Sequence, residues 1–514
     1  MPALIWIIPA LLLIIKPLYA CTTLIVGKNA SENGKTIIAR TSDTIDSRRA
    51  KNLKIYYEKD EKSYIGLPYW DLQFDEENDM SQVSTNSNGV SISATETIQS
   101  NPEVLRLDPR VPAQEGVTER NIPNLVMPDA VTARNAIDIL GKAIEEKGVG
   151  GSKGFGVLFA DKREAWYLET LSGHQWVAIQ IPDDVYFVAA NGPGQIQAYS
   201  PDLYKYKYSH FNGKTPMEFA DQHNIAKTTA KSFDFRKTFA DVANARNPKS
   251  NFVRVAYIQN YFNPGSQSFN LDIINNGSFP TFLKPEKRIS IRDIQSMFVS
   301  HYEDFKEIDP FQSYTEKTGY KPIANLNTSN AHVTMINNSL EKIDPNIANL
   351  QYIALGMPTV SFFLPIYFGI TEIPDALTGA TNKADPANQK LFWQFRRLQT
   401  LVFLNDPNKK IPFTPIERTK IIKKEYAALA KEVEQDRHTM EAEYQKSHDF
   451  NLIDEFTKTT VKKVSLINRN LICTMMKELD IDSKYNLKTD QERALWFTAK
   501  VREQECNFKT KACK

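Results

Sequence analysis

Apolar positions change period several times along this chain of 514 residues, and each change marks an element. Ala3–Ile15 is an almost unbroken apolar run, shorter than the ~20 residues that a bilayer span needs. With Lys16, Pro17, Leu18, Tyr19 and Ala20 behind it, the run fits an export signal cut after Ala20. No later stretch is long and apolar enough to be a membrane span. Beyond the cut the pattern turns to strands. Residues 21–27 (CTTLIVG) are β-rich, 28–34 form a turn and 35–40 read as a second strand, so the two form a hairpin. A strand is predicted over 89–98, after the turn signal Asn86-Ser-Asn-Gly89. Over 131–147 the apolar positions Ala133, Ala136, Ile137, Leu140 and Ile144 fall at helical spacing, and Gly148 is the stop. Strands over 154–160, 165–170, 176–181 and 186–190 have links too short for crossovers, which predicts an antiparallel meander. After about Asp385 the chain becomes charged and helical. Ile421, Ile422, Tyr426, Leu429, Ala430 and Val433 lie roughly on one face of a helix over 415–444. The pattern predicts an α+β protein with a leader (1–20), a main domain (21–385) and a helical C-terminal region (386–514) packed on it.

Composition narrows the function. Hydrophobic residues make up 41% and charged residues 24%, which excludes a disordered chain. The 63 basic and 61 acidic residues leave a net charge of +2, giving no electrostatic case for a nucleic-acid partner. The histidines include no His-Glu-x-x-His pair, so no metal is expected. The glycines between Gly148 and Gly156 follow a helix and precede a strand, the reverse of a dinucleotide loop, so no cofactor is expected either. No Gly-x-Ser-x-Gly elbow is present. What remains is Cys21. A cut after Ala20 makes it the first residue, with a thiol and a free amine on one residue. Their unperturbed pKa values are near 8.5 and 8, so the amine can serve as the thiol's general base without a histidine.

Several blocks then carry a resemblance. Cys-Thr-Thr-Leu-Ile-Val-Gly at 21–27, Ile-Ala-Arg-Thr-Ser-Asp at 38–43 and Asn-Gly-Val-Ser-Ile-Ser-Ala-Thr-Glu-Thr at 88–97 are similar to the dipeptidase family of N-terminal-nucleophile cysteine hydrolases. So are Ala-Asp-Lys-Arg-Glu-Ala-Trp-Tyr-Leu-Glu-Thr at 160–170, Gly-His-Gln-Trp-Val-Ala at 173–178, Ala-Asn-Gly-Pro at 190–193 and Pro-Thr-Val-Ser-Phe-Phe-Leu-Pro-Ile-Tyr at 358–367. The similarity runs, with gaps, from Cys21 to about Leu377. It implies a four-layer αββα sandwich and hydrolysis of dipeptides through a thioester on Cys21. Arg40 and Asp43 match an Arg-x-x-Asp pair beside the nucleophile. The resemblance implies that Asp43 holds the α-ammonium and that Arg40 favours thiolate. Asn191 matches an oxyanion donor, and Asn86 falls where a second donor often sits. One position departs: Asn251 stands where some acylases of the superfamily carry an active-site Arg. Arg254, a candidate for binding a substrate carboxylate, reads better as a helix-surface residue.

Two other fates stay open. The chain could be an acylase on non-peptide amides, or a lipid-anchored binding protein, since Leu18-Tyr-Ala-Cys21 is close to a lipobox. An acylated amine at Cys21 could no longer act as a base. The expected partner is a dipeptide or short peptide, the expected location is outside the cell or in its envelope, and the oligomeric state is open. Export places Cys473, Cys506 and Cys513 in an oxidising compartment. A bond from Cys473 to either tail cysteine would pin the tail to a helix, while Cys21 should stay a free thiol.

Overall fold

The computed structural model describes residues 21–43, 50–58, 61–71, 76–197, 199–229, 232–244, 247–265, 270–277, 279–305, 308, 320–339, 344–380, 390–403 and 415–478, with two short tail strands at 506–507 and 512–513. The predicted leader (1–20) lies outside them. The strands are β1 (Thr22–Val26), β2 (Thr36–Asp43), β3 (Lys54–Glu58), β4 (Glu61–Asp71), β5 (Glu76–Asn86), β6 (Ser91–Ile98), β7 (Gly154–Ala160), β8 (Ala165–Thr170), β9 (Trp176–Ile181), β10 (Tyr186–Ala190), β11 (Tyr206–Tyr208), β12 (Thr228–Thr229), β13 (Ser232–Phe233), β14 (Thr328–Ile336), β15 (Leu350–Leu355) and β16 (Leu364–Tyr367). The helices are α1 (Pro102–Leu107), α2 (Ile122–Val126), α3 (Ala133–Lys147), α4 (Pro216–Gln222), α5 (Phe235–Phe239), α6 (Val253–Phe262), α7 (Leu271–Asn276), α8 (Ile291–Phe298), α9 (Pro345–Ala348), α10 (Leu391–Val402), α11 (Pro415–Ser447) and α12 (Phe450–Glu478). Two antiparallel sheets dominate. One has the order β10-β1-β2-β14-β15-β16, the other β11-β9-β8-β7-β6-β5-β4-β3.

Strand alternation explains the packing. On β1 and β2, Leu24, Val26, Ile37 and Ala39 share a core with Phe252, Val255, Ile294 and Phe298 of the helical segments 248–262 and 291–298. Their neighbours Ile25 and Ile38 point the other way and meet Leu158, Tyr167, Val177 and Ile179 of the second sheet. The second sheet presents Phe155, Val157, Phe159 and Leu168 to Ile137, Leu140 and Ile144 of α3. Strands buried on both faces read as continuous apolar runs, as β1 and β10 do. Each such side chain contributes about 1.5–3 kcal/mol by burial. Helix α3 starts where Thr132 accepts a hydrogen bond from the Asn135 N–H and ends at Gly148, whose φ is +76°.

The predicted meander holds for β7, β8 and β9 but not for β10. That strand leaves the second sheet and pairs with β1, Thr22 opposite Ala190. Its place beside β9 is taken by β11, Tyr206 opposite Ile179. The chain changes sheets at Pro182–Val185, where Asn29 N–H bonds the Asp183 carbonyl at 2.7 Å and Gly27 N–H the Val185 carbonyl at 2.9 Å. A short link permits a meander, but here backbone partners on the turn after β1 draw the strand away.

Beyond the sheets, α10, α11 and α12 share one core with β15 and β16. Leu364, Ile366 and Tyr367 pack with Leu398, Tyr444, Ile453 and Phe456. Tyr367 also donates to Glu441, which pairs with Arg437 at 2.7 Å. Among the described residues no helix is long and apolar enough to cross a membrane. Cys473 on α12 is disulfide-bonded. The side chains of Cys506 and Cys513 lie outside those described.

Candidate active site

Cys21 stands at the head of β1, is 4% exposed and is a free thiol. Its neighbours come from both faces of β2. Alternation sends Arg40 to the side where Ile25 and Ile38 meet the second sheet, and Asp43 to the side of Ala39 and α6. The Arg40 guanidinium lies 3.9 Å from Cys21 Sγ and is 1% exposed. It is held by the Ala94 carbonyl on β6, by Ser42 Oγ at 2.9 Å and by Glu119 Oε1 at 2.9 Å. Opposite Arg40 in the register is His332 of β14, which bonds Ser93 Oγ at 2.9 Å and Thr334 Oγ1 at 3.1 Å. Burial, with Arg40 adding to it, pushes the His332 pKa down to about 3, so this imidazole is neutral.

On the other side, Arg254 of α6 is wholly buried. Its guanidinium donates to the Cys21 carbonyl, to Thr22 Oγ1 at 2.8 Å, to Asn191 Oδ1 at 2.9 Å and to Asn251 Oδ1 at 3.0 Å. Its Nε donates to the Ser250 carbonyl at 2.8 Å. Burial lowers the Arg254 pKa, and Tyr302, Asp43 and Cys21 oppose that. Asp43 accepts from Asn325 at 2.5 Å and Thr328 at 2.6 Å, and pairs with Lys321 Nζ at 3.5 Å. Burial lowers the Lys321 pKa, with Asp43 the main opposing charge.

Asn191 follows β10 directly. Behind it, Gly192 has φ +109°, and a Cβ there would meet Asn251 Nδ2 at 2.6 Å and Asn247 Oδ1 at 2.7 Å. The loop is fixed from below by Glu169 of β8, whose carboxylate accepts from the N–H groups of Gln195 at 2.9 Å and Ile196 at 3.2 Å. Burial raises the Glu169 pKa to about 7 against those two bonds and Arg236.

Of the residues expected from the sequence, Cys21, Arg40 and Asn191 thus come together, with Asp43 linked through Lys321 and electrostatically to Arg254. Asn86 does not join them, and its expected donor role is corrected. It sits in the β5–β6 turn, where Nδ2 donates to the Met127 and Ala130 carbonyls at 2.9 and 2.7 Å and Oδ1 accepts from the Asn88 and Val90 N–H groups. Both amide hydrogens are spent on clamping the α2–α3 connection. Arg254 is corrected in the opposite sense. It is no surface residue but the hub of the site, and Asn251 is one of its partners. A lone charge in the apolar run Phe252–Phe262 was the signal. Glu119 and Lys321 carry no local motif and were missed. Among the described residues no three His, Cys, Asp or Glu side chains cluster as a metal site.

A buried thiol beside one guanidinium, on a residue whose carbonyl a second guanidinium holds, at the head of a strand shared by antiparallel partners, is the setting of a cysteine-type peptidase. Comparison with known proteins agrees: the family model described as Peptidase family C69 matches residues 20–407, and the chain belongs to that family. It is 35% identical over 369 residues to a "Probable dipeptidase" of Salmonella dublin, covering 68% of this chain and 81% of that one. It is 28% identical over 397 residues to a "Probable dipeptidase B" of Lactococcus lactis subsp. lactis (strain IL1403), with coverages of 73% and 79%. It is 27% identical over 384 residues to a "Dipeptidase A" of Lactobacillus helveticus, with coverages of 69% and 77%. The matched residues end after α10, so α11 and α12 lie beyond the family match.

Proposed function

We propose that this peptidase hydrolyses dipeptides with Cys21 as an N-terminal nucleophile. Removal of residues 1–20 frees the Cys21 amine, which takes the thiol proton, directly or through a water. The sulfur attacks the peptide carbonyl, and the developing oxyanion is met by the Asn191 side chain. Because Arg254 holds Asn191 Oδ1, the amide's donor end is defined. The leaving amine collects the proton, and a thioester remains on Cys21. Water then cleaves it, releasing the first amino acid and restoring the thiol. Asp43 pairs with Lys321 on one side of β2, and the Arg40 guanidinium lies beside the sulfur on the other. The fold proposed with this mechanism is the four-layer αββα sandwich of N-terminal-nucleophile hydrolases, the enzyme acting after export, in the envelope or outside the cell.

The observation that carries this reading is the free, buried Cys21 thiol 3.9 Å from Arg40. The same burial disfavours the lipid-anchor reading, which needs the Cys21 sulfur at the surface. The test compares three proteins on one dipeptide: the chain beginning at Cys21, the chain retaining 1–20, and Cys21→Ala. Only the first should turn over, and the thioester should appear as an acyl mass adduct on its first residue. Equal activity in the uncut chain, or in Cys21→Ala, overturns the proposal.

A further inference from the structure

Strand alternation puts Glu169 of β8 on the face of Tyr167, between the sheets, where it is buried. Its two oxygens are used separately. Oε2 accepts from the Gln195 N–H and Oε1 from the Ile196 N–H. Gly194 makes this approach possible, since a Cβ there would collide with Oε1 and the carboxyl carbon. Nearer Asn191, the Gln99 N–H donates to the Gly192 carbonyl at 2.8 Å, and Pro193 fixes φ between the two anchors. Asn191 is therefore bounded by β10 on one side and by these anchors on the other.

The two bonds distinguish ionisation states. A carboxylate accepts at both oxygens, whereas a carboxylic acid carries a proton on one and a carboxamide has an NH2 in place of one. Only the ionised side chain accepts both bonds at full strength. The cation it faces is Arg236 of α5. That guanidinium is buried over the Phe252 ring, 5.4 Å from its centroid, and its Nε and Nη2 have no hydrogen-bond partner. Asp234, before α5, also acts on Arg236, and Tyr167 is the other titratable group beside Glu169. With a pKa of about 7, Glu169 gains a proton as the pH falls through neutrality, and the paired acceptors are then lost.

We infer that Glu169 is a positioning residue: as a carboxylate it holds the backbone behind Asn191, and Asn191 meets the oxyanion fully only while both bonds stand. The inference rests on Asn191 being the oxyanion donor and Cys21 the nucleophile. Glu169 itself touches no substrate and takes part in no covalent step.

Four proteins beginning at Cys21 test it on one dipeptide: the wild type, Glu169→Gln, Asn191→Ala and the double variant. The quantity read is the kcat ratio of each protein to its Asn191→Ala counterpart, from about pH 5.5 to 8.5, in which any titration of Cys21 cancels. In the wild type this ratio should fall on the order of tenfold as pH drops through about 7, with KM little changed, because the oxyanion forms only in the transition state. With Glu169→Gln the ratio should be low at every pH and should show no step. A wild-type ratio without a step, or the same step in Glu169→Gln, overturns the inference. Should Glu169→Gln fail to fold, Arg236 carries the test. Arg236→Met breaks no hydrogen bond of Nε or Nη2 and removes the cation that favours the carboxylate, so the step should move up by about one unit. Arg236→Lys keeps the charge and should leave the step near its place. A step unmoved in Arg236→Met, or moved equally in both, overturns the inference. If Asn191→Ala keeps wild-type kcat at every pH, the oxyanion assignment itself fails, and this inference with it.

Discussion

Arg254 spends all its N–H groups on fixed acceptors, among them the Cys21 carbonyl, Thr22 Oγ1 and Asn191 Oδ1. A lysine cannot reproduce that fork. Arg254→Lys should lower kcat by on the order of 10²-fold, and Asn191→Ala by on the order of 10²–10³-fold. Because the first positions the second, the double variant should lose much less than the product of the two, which steady-state kinetics of the four proteins would reveal. His332 gives a second prediction. Its folded pKa, about 3, lies below the ordinary 6.5, so between those values the unfolded chain binds a proton that the native one does not. Stability should fall as pH drops through that window, by about 1.4 kcal/mol per unit from this group. Urea unfolding at pH 7 and pH 5 should show a smaller acid loss in His332→Gln than in the wild type. Cys21, Arg40, Asp43 and Asn191 were legible because each sits in a short block whose neighbours also match. Arg254 was misread because a charge on a helix is usually solvated. Asn86 was misread because an Asn beside a turn looks the same whether it donates to a ligand or to a carbonyl.

Among the elements, the loop after β10 is constrained from several sides. Asn191 is aimed by it, Glu169 anchors it, and Gly192 allows Asn247 and Asn251 to close on its backbone. Gly192→Ala would need a left-handed conformation and a Cβ inside two amide side chains. It should reduce kcat far more than KM and lower Tm, with activity and differential scanning fluorimetry as the measurements. Strands β1, β2, β6, β7, β8, β9 and α3 could be read from period and turn signals, because their burial is uniform or strictly alternating. The short strand β3 and the long strands β4 and β5 escaped. Lys, Glu, Asp and Asn interrupt them, and only pairing to neighbours makes them strands. The transfer of β10 between sheets escaped for a related reason, since hydrogen bonds to residues 27–30 decide it and local pattern carries no trace of them.

For the molecule as a whole, the apolar face of the charged tail was visible in the sequence, but the surface it covers on β15 and β16 was not. Cys473 joins that region to a disulfide, and closing such a loop stabilises by about 2–4 kcal/mol. Mild reductant should therefore lower Tm by several degrees while leaving dipeptide turnover intact, since the free Cys21 takes no part in the bond. The central place of β2 has a consequence in time. It is paired on both sides, by β1 and β14, over Ile37–Thr41, a stretch that includes Arg40. The amide protons of Ile37–Thr41 should consequently exchange with solvent only when the whole domain opens. Inactivation by heat or urea should then follow the slowest-exchanging class of amides, with no dead but still folded species, and deuterium labelling during inactivation would register any that formed.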